Sequence, residues 1–248
     1  MRKVGIIPAR FKSTRFPGKP LALLNGKPMI LYVAEIVEKA LGNNNTYVAT
    51  DDHSIRDVVL SAGYKVVMTP ETCLTGTDRV WEAAKQIKSD IYLNIQGDEP
   101  LLNPDDINLI ASQKEKNFNH VINGMCSLSK DESPFNANIP KVLVNKDGIL
   151  LYMSRLAIPG MKEQRSIMPV YKKQVCIYAF SYDDLKLFGE TSKKAIYEEF
   201  EDIEILRFFD LKVPIKMVET SGSSIAVDAP EDILKVEKVL NQNKSWNK

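Results

Sequence analysis

Short apolar runs alternate with stretches of helical spacing through the first half of this chain. Val4 to Ile7 reads as a buried strand. Pro28 to Leu41 follows, with Ile30, Val33, Ile36, Val37 and Ala40 on one helical stripe. Thr46 to Ala49 and Lys65 to Met68 read as the next two strands. Between them runs a helix through Val58 and Ala62, for which Asp52 and Ser54 are candidate caps. Asp78 to Ile87 reads as a helix and Ile91 to Ile95 as a fourth strand. Pro104 opens another helix at the position proline favours. Alternation of this kind predicts a three-layer α/β fold around a mostly parallel sheet.

The second half is less regular. Lys141 to Val144 and Ile149 to Tyr152 flank Asp147-Gly148 and read as a hairpin. Gln174 to Phe180 is a long apolar strand, Glu198 to Phe209 a mixed helix, and Ile215 to Val218 a strand. Pro230 to Leu240 reads as an amphipathic terminal helix that frays beyond Asn241. No repeat, low-complexity tract or linker divides the chain, so residues 1–248 are expected to form a single domain.

Composition narrows the classes of function. The 248 residues carry a net charge of only +1, with 26% charged and 44% hydrophobic residues. That balance suits a globular protein large enough for a sizeable core, and argues against a nucleic-acid or membrane-surface binder. No run has transmembrane length, and Arg10 and Lys12 interrupt any signal-like apolar segment. Three widely spaced cysteines fit reduced thiols in a cytoplasm. Two histidines make a histidine-built zinc site improbable.

Charge is not spread evenly. Arg2, Lys3, Arg10, Lys12, Arg15, Lys19 and Lys27 all precede the first acidic residue, Glu35. Four of them lie in the loop after the first strand. The carboxyl edge of an open α/β sheet is where an anionic ligand binds, and clustered cations suggest several phosphates. The loop has neither a dinucleotide fingerprint nor a Walker A pattern, so side-chain cations replace glycine amides. A solvated basic loop is the bland alternative.

Three further constellations end predicted elements. Asn94 to Pro100 (NIQGDEP) follows the fourth strand, where Asp98 could hold a divalent ion and Gln96 a substrate. Asp228 ends a short predicted strand before Pro230 and could be the second carboxylate, or simply a helix cap. Thr75 to Arg79 opens a helix where hydroxyls, amides and Arg79 could meet a nucleotide. Thr50-Asp51-Asp52 reads as a cap. Arg155, after a strand, could pair with a substrate carboxylate or lie on the surface.

Taken in order, IPARFKSTRFPGKPL, VATDD, TGTDR, NIQGDEP, YMSRLAIP and AVDAPEDI resemble the CMP-Kdo synthetases, the 3-deoxy-manno-octulosonate cytidylyltransferases. The likeness runs from Val4 to about Leu240. It implies a nucleotidyltransferase fold, CTP and Mg²⁺ as requirements, and a homodimer built from a sugar-binding subregion at about residues 130–212. By this resemblance Pro8, Ala9, Arg10, Ser13, Arg15 and Lys19 form the triphosphate loop. Thr75, Arg79 and Gln96 also touch the nucleotide. Arg10, Arg15, Lys19 and Asp98 act on the transferring phosphates, and Asp98 and Asp228 hold the metal. Gln96, Arg155, Gln174, Tyr178 and Glu204 face the sugar acid.

The chain departs from the family in that last group. Where the family has K-H-I-G-I-Y-A-Y, Lys173 to Phe180 carry Gln174 for His, Cys176 for Gly and Phe180 for Tyr. Where the family has L-E-Q-L-R, Ile205 replaces Gln while Glu204 is kept. The nucleotide half is thus expected to be intact and the sugar half remodelled. Kdo, 8-amino-Kdo, a nonulosonic acid or a capsule sugar all stay open as acceptors. A nucleotidyltransferase for a sugar phosphate and an inactive nucleotide-binding homologue are the more distant alternatives.

Overall fold

The computed structural model describes residues 1–12, 16–163, 169–222 and 225–246, with side chains of the last helix as far as Gln242. In chain order the strands are β1 Lys3–Ala9, β2 Leu23–Leu24, β3 Lys27–Pro28, β4 Thr46–Thr50, β5 Lys65–Met68 and β6 Ile91–Ile95. They continue as β7 Val121–Ser127, β8 Lys141–Val144, β9 Leu150–Ser154, β10 Lys172–Phe180 and β11 Ile215–Glu219. The helices are α1 Met29–Leu41, α2 His53–Ser61, α3 Gly76–Ala84, α4 Pro104–Lys116, α5 Tyr182–Gly189, α6 Ile196–Glu201, α7 Arg207–Asp210 and α8 Asp232–Trp246.

The main sheet has the order β11-β7-β10-β6-β1-β4-β5. β1 sits between β4 and β6 and runs parallel to both. β10 is antiparallel to each of its neighbours, β6 and β7. It arrives from the β8–β9 hairpin, and an antiparallel pairing needs no helical crossover. The subregion at 130–212 therefore places one of its own strands in the middle of the sheet.

Strand alternation sorts the core into two layers. Val4 and Ile6 of β1 pack with Trp81, Phe188 and Phe208 on one face. Ile7 packs with Ile30, Val33, Val37 and Ile110 on the other. Gly5 shares the second face, and a Cβ there would lie 2.3 Å from Val37 Cγ1, so α1 crosses β1 at a distance only glycine permits.

Local chemistry starts the helices. Asp52 caps α2, accepting from the amides of Ser54 and Ile55 at 2.8 and 3.0 Å. Asn103 caps α4, with Pro104 in its first turn. Thr75 caps α3, which for that reason begins at Gly76 and not at Asp78 as the spacing suggested. The expected helix over 198–209 is instead three short pieces. Asp202 takes a left-handed φ of 49° and stops α6 before a 3₁₀ turn at Glu204–Leu206 leads into α7. Residues 225–228 belong to no strand, correcting the expectation for Asp228. β7 and α5 escaped the sequence reading. Asn123 and Gly124 break the apolar pattern of β7, and a capping box between Ser181 and Asp184 starts α5.

One buried ion cluster ties α3 to the segment after β10. Arg207, 1% exposed, donates to Asp78 at 2.8 and 3.1 Å and to Glu198 at 2.6 and 2.7 Å. Its guanidinium also lies 3.7 Å from the centre of the Phe188 ring. Replacing Arg207 with Met would leave two buried carboxylates without their cation. Arg207→Met is expected to lower the unfolding free energy by about 3–5 kcal/mol. Urea denaturation checks this, and a loss below about 1 kcal/mol would show that the cluster is dispensable.

Candidate active site

A cleft of about 740 Å³ opens at the carboxyl ends of β1 and β6. That is room for a nucleotide and a second small substrate. Pro8, Ala9 and Arg10 line it from β1, and Gln96, Gly97, Asp98 and Glu99 from the end of β6. The two strand ends approach closely, and a Cβ on Gly97 would lie 3.1 Å from the Pro8 carbonyl oxygen. Arg10 is exposed on the cleft wall. Ser13 and Arg15 lie outside the described residues.

Lys19 joins the expected metal ligands. Gly18 takes a left-handed φ of 69°, turning the chain so that Lys19 begins a 3₁₀ turn. Lys19 Nζ lies 2.6 Å from Asp98 Oδ2 and 3.0 Å from the Val227 carbonyl oxygen. The Val227 amide in turn donates to the Asp98 carbonyl at 2.9 Å. Asp228, next in the chain, lines the same cleft. Segments 130 residues apart are thereby held together by one ammonium and one backbone bond. Among the described residues, no group of three or more His, Cys, Asp or Glu is arranged to hold a metal ion.

The α3 start forms the next wall. Thr75 donates its hydroxyl proton to Asp78 at 2.8 Å, and Asp78 is held by Arg207. Arg79 has a different first task from the expected nucleotide contact. It is buried, donating to Thr69 Oγ1 at 2.6 Å and to Asp51 at 3.0 Å. Asp51, read as part of a cap, is its ion-pair partner, and the cap is Asp52 alone.

The opposite wall is polar and densely bonded. Glu204 accepts from the Thr77 amide at 2.9 Å and from Gln96 Nε2 at 3.0 Å. Burial raises its pKa above the ordinary carboxylate value, against the lowering effect of the Thr77 and Thr75 hydrogen bonds. Gln174 Nε2 donates to Asn123 Oδ1 at 3.0 Å and to the Tyr178 hydroxyl at 3.1 Å. Burial holds both Tyr178 and Cys176 in their neutral forms, with Glu204 and Glu99 adding to the effect on each.

Arg155 differs from its expectation as a free fork for a carboxylate. Its guanidinium donates to the carbonyls of Glu201, Ala137 and Asp202, the last two at 2.9 and 3.0 Å. Arg155 therefore joins loops 137 and 201–202 into the cleft wall. Four contributors went unnoticed in the sequence: Asp51, Asn123, Lys173 with its partner Glu132, and Arg207. Only Asn123 left a signal, a polar residue inside an apolar run.

No helix among the described residues is long and apolar enough to cross a membrane. Residues 4–215 match the cytidylyltransferase family. A 3-deoxy-manno-octulosonate cytidylyltransferase from Acaryochloris marina is 36% identical over 98% of this chain and 98% of its own. An 8-amino-3,8-dideoxy-manno-octulosonate cytidylyltransferase from Shewanella oneidensis is 38% identical over 95% of this chain and 97% of its own. The solved structure of a CMP:2-keto-3-deoxy-manno-octonic acid synthetase complexed with CTP superposes with a TM-score of 0.90 at 33% identity, covering 98% of this chain and 100% of that one. The chain is a nucleotidyltransferase and belongs to the cytidylyltransferase family that contains the 3-deoxy-manno-octulosonate enzymes.

Proposed function

We propose that this enzyme couples CTP to the anomeric hydroxyl of a Kdo-type sugar acid, giving a CMP-sugar and pyrophosphate. The observation that carries this reading is the Lys19 bridge. It sets a cation and two carboxylates, Asp98 and Asp228, at the sheet edge below the basic first loop. Attack of the sugar hydroxyl on the α-phosphorus builds negative charge on the transferring and leaving phosphates. Arg10 and Lys19 lie where they can meet that charge, with Ser13 and Arg15 assigned to the same loop by resemblance. Losing one such preorganised donor typically costs about 2.7–4 kcal/mol of transition-state stabilisation. Thr75 and Gln96 would orient the nucleotide. Gln96, Gln174, Tyr178 and Glu204 would orient the sugar, and Arg155 would shape the wall behind it.

The donor set fits magnesium, which takes few protein carboxylates and completes its shell with phosphate oxygens and water. Asp98 and Asp228 would hold it. When bound, the ion would neutralise charge on the phosphates. In its absence the ammonium of Lys19 is the cation nearest Asp98.

A homodimer built from the 130–212 subregion is part of the proposal. Exposed apolar side chains concentrate there, among them Leu151, Leu156, Ile196, Tyr197 and Phe200, the last 85% exposed. Clustered exposed apolar surface marks an interaction site.

Two tests follow. With CTP and Mg²⁺, pyrophosphate release is expected with Kdo or its 8-amino analogue. Silence with both, and with nonulosonic acids, would sink the reading. Asp98→Asn and Asp228→Asn are each expected to lower turnover at least about a hundredfold, the scale of a lost transition-state donor, with the melting temperature nearly unchanged. An active variant at either position removes that residue from the metal site. Sedimentation equilibrium is expected to give twice the 28.0 kDa chain mass. The double variant Ile196→Asp, Phe200→Asp is expected to sediment as a monomer, and an intact dimer in it would place the interface elsewhere.

A further inference from the structure

The sugar-facing wall presents hydrogen-bond acceptors and few donors, because two glutamine amides are locked in one orientation. The lock begins at the backbone. Asn123, fully buried on β7, donates both Nδ2 hydrogens to the carbonyls of Val175 and Ile177, each at 2.9 Å. A carbonyl can only accept, so Asn123 Oδ1 faces away from them and itself only accepts. Gln174 Nε2 lies against that oxygen at 3.0 Å and against the Tyr178 hydroxyl at 3.1 Å. Both amide hydrogens of Gln174 are therefore engaged inward. Its Oε1 has no hydrogen-bond partner among the described residues, while Gln174 lines the cleft. The Tyr178 proton is turned to Cys176, so Tyr178 offers no donor either.

Gln96 follows the same logic from another anchor. Its Nε2 points to Glu204 Oε1 at 3.0 Å, and Glu204 also takes the Thr77 amide. Asn94 Nδ2 donates to Thr77 Oγ1 at 3.1 Å, which leaves Asn94 Oδ1 as a further acceptor towards Gln96. The remaining group of Gln96 is again a carbonyl. Asp98, Glu99 and Glu204 give the surroundings of Cys176 a negative potential.

We infer that Gln174 is a specificity-determining residue, and that its acceptor wall selects a sugar acid carrying an ammonium group over the hydroxyl analogue. This rests on the cytidylyltransferase reading above. A hydroxyl offers one hydrogen and brings two lone pairs, which face carbonyls unfavourably. An ammonium offers three hydrogens, no lone pair and a positive charge that the carboxylates favour. The histidine that the family pattern carries at this position can donate. The amide of Gln174, held by Asn123 and Tyr178, cannot turn to do so without breaking two hydrogen bonds. Sites that leave a buried polar group unpaired discriminate strongly between such analogues.

The test compares pyrophosphate release from CTP with 8-amino-3,8-dideoxy-manno-octulosonate and with 3-deoxy-manno-octulosonate as acceptors. The wild-type kcat/KM is expected to favour the amino sugar by about tenfold or more, as for an unpaired buried group. That preference should shrink as pH rises through the amine's own pKa. Gln174→Met and Gln174→His are each expected to bring the ratio towards one, in enzyme whose melting temperature CTP still raises. Turnover of both sugars with no preference for the amine overturns the inference and leaves the cytidylyltransferase reading standing. An unchanged ratio in a CTP-binding variant also overturns it. No turnover of either sugar overturns both. The wild-type ratio decides the question even where a variant fails to fold.

Discussion

The cleft depends on a single buried guanidinium. Arg207 is enclosed by Asp78 at the start of α3 and Glu198 in α6, with the Phe188 ring against its face. Desolvating three charges is costly, and the arrangement is tolerable only because nearly every polar atom is matched. Arg207 Nη1 also reaches the Phe188 carbonyl and the Thr191 hydroxyl. The consequence is positional. Asp78 holds Thr75, and the chain leaving Glu198 must return through Glu204 to reach Arg207. Thr75, Thr77, Gln96 and Glu204 are thus set against one another by a contact that itself lies outside the cleft.

The cleft divides its electrostatics between two sides. The first loop and Lys19 supply cations on the side where β1 and β6 end, suited to phosphates. The wall from Gln174 to Glu204 supplies carbonyls and carboxylates. Lys19 lies at the boundary, bonded to Asp98 and to the carbonyl before Asp228. In the absence of other cations it offsets the charge of Asp98. A family likeness of 36–38% to enzymes named for two different sugar acids is consistent with this division. The phosphate side serves chemistry common to both, and differences collect on the other wall.

The strands that build the cleft floor were legible from residue pattern. β5 and β6 fall at the residues expected, since short apolar runs bounded by turn formers have few other solutions. The cap at Asp52 and the first-turn Pro104 were legible for the same local reason. Arg10, Lys19, Gln96, Asp98 and Asp228 were readable as cleft residues because a strand end is a local event. Ordered motifs then named the family, and the fold followed from it.

Partner choice was not legible. Arg79 could as well have met a nucleotide as Asp51, and Arg155 a carboxylate as three backbone carbonyls; both choices were made by loops distant in sequence. The antiparallel entry of β10, the break at Asp202 and the amide lock from Asn123 to Gln174 are likewise properties of packing. Sequence by itself determined which residues lie at strand ends and which face the core, because those depend on neighbours a few positions away. Only the tertiary structure decided which way each polar side chain points. That depends on the unpaired donors and acceptors brought to it from 50 to 200 residues away.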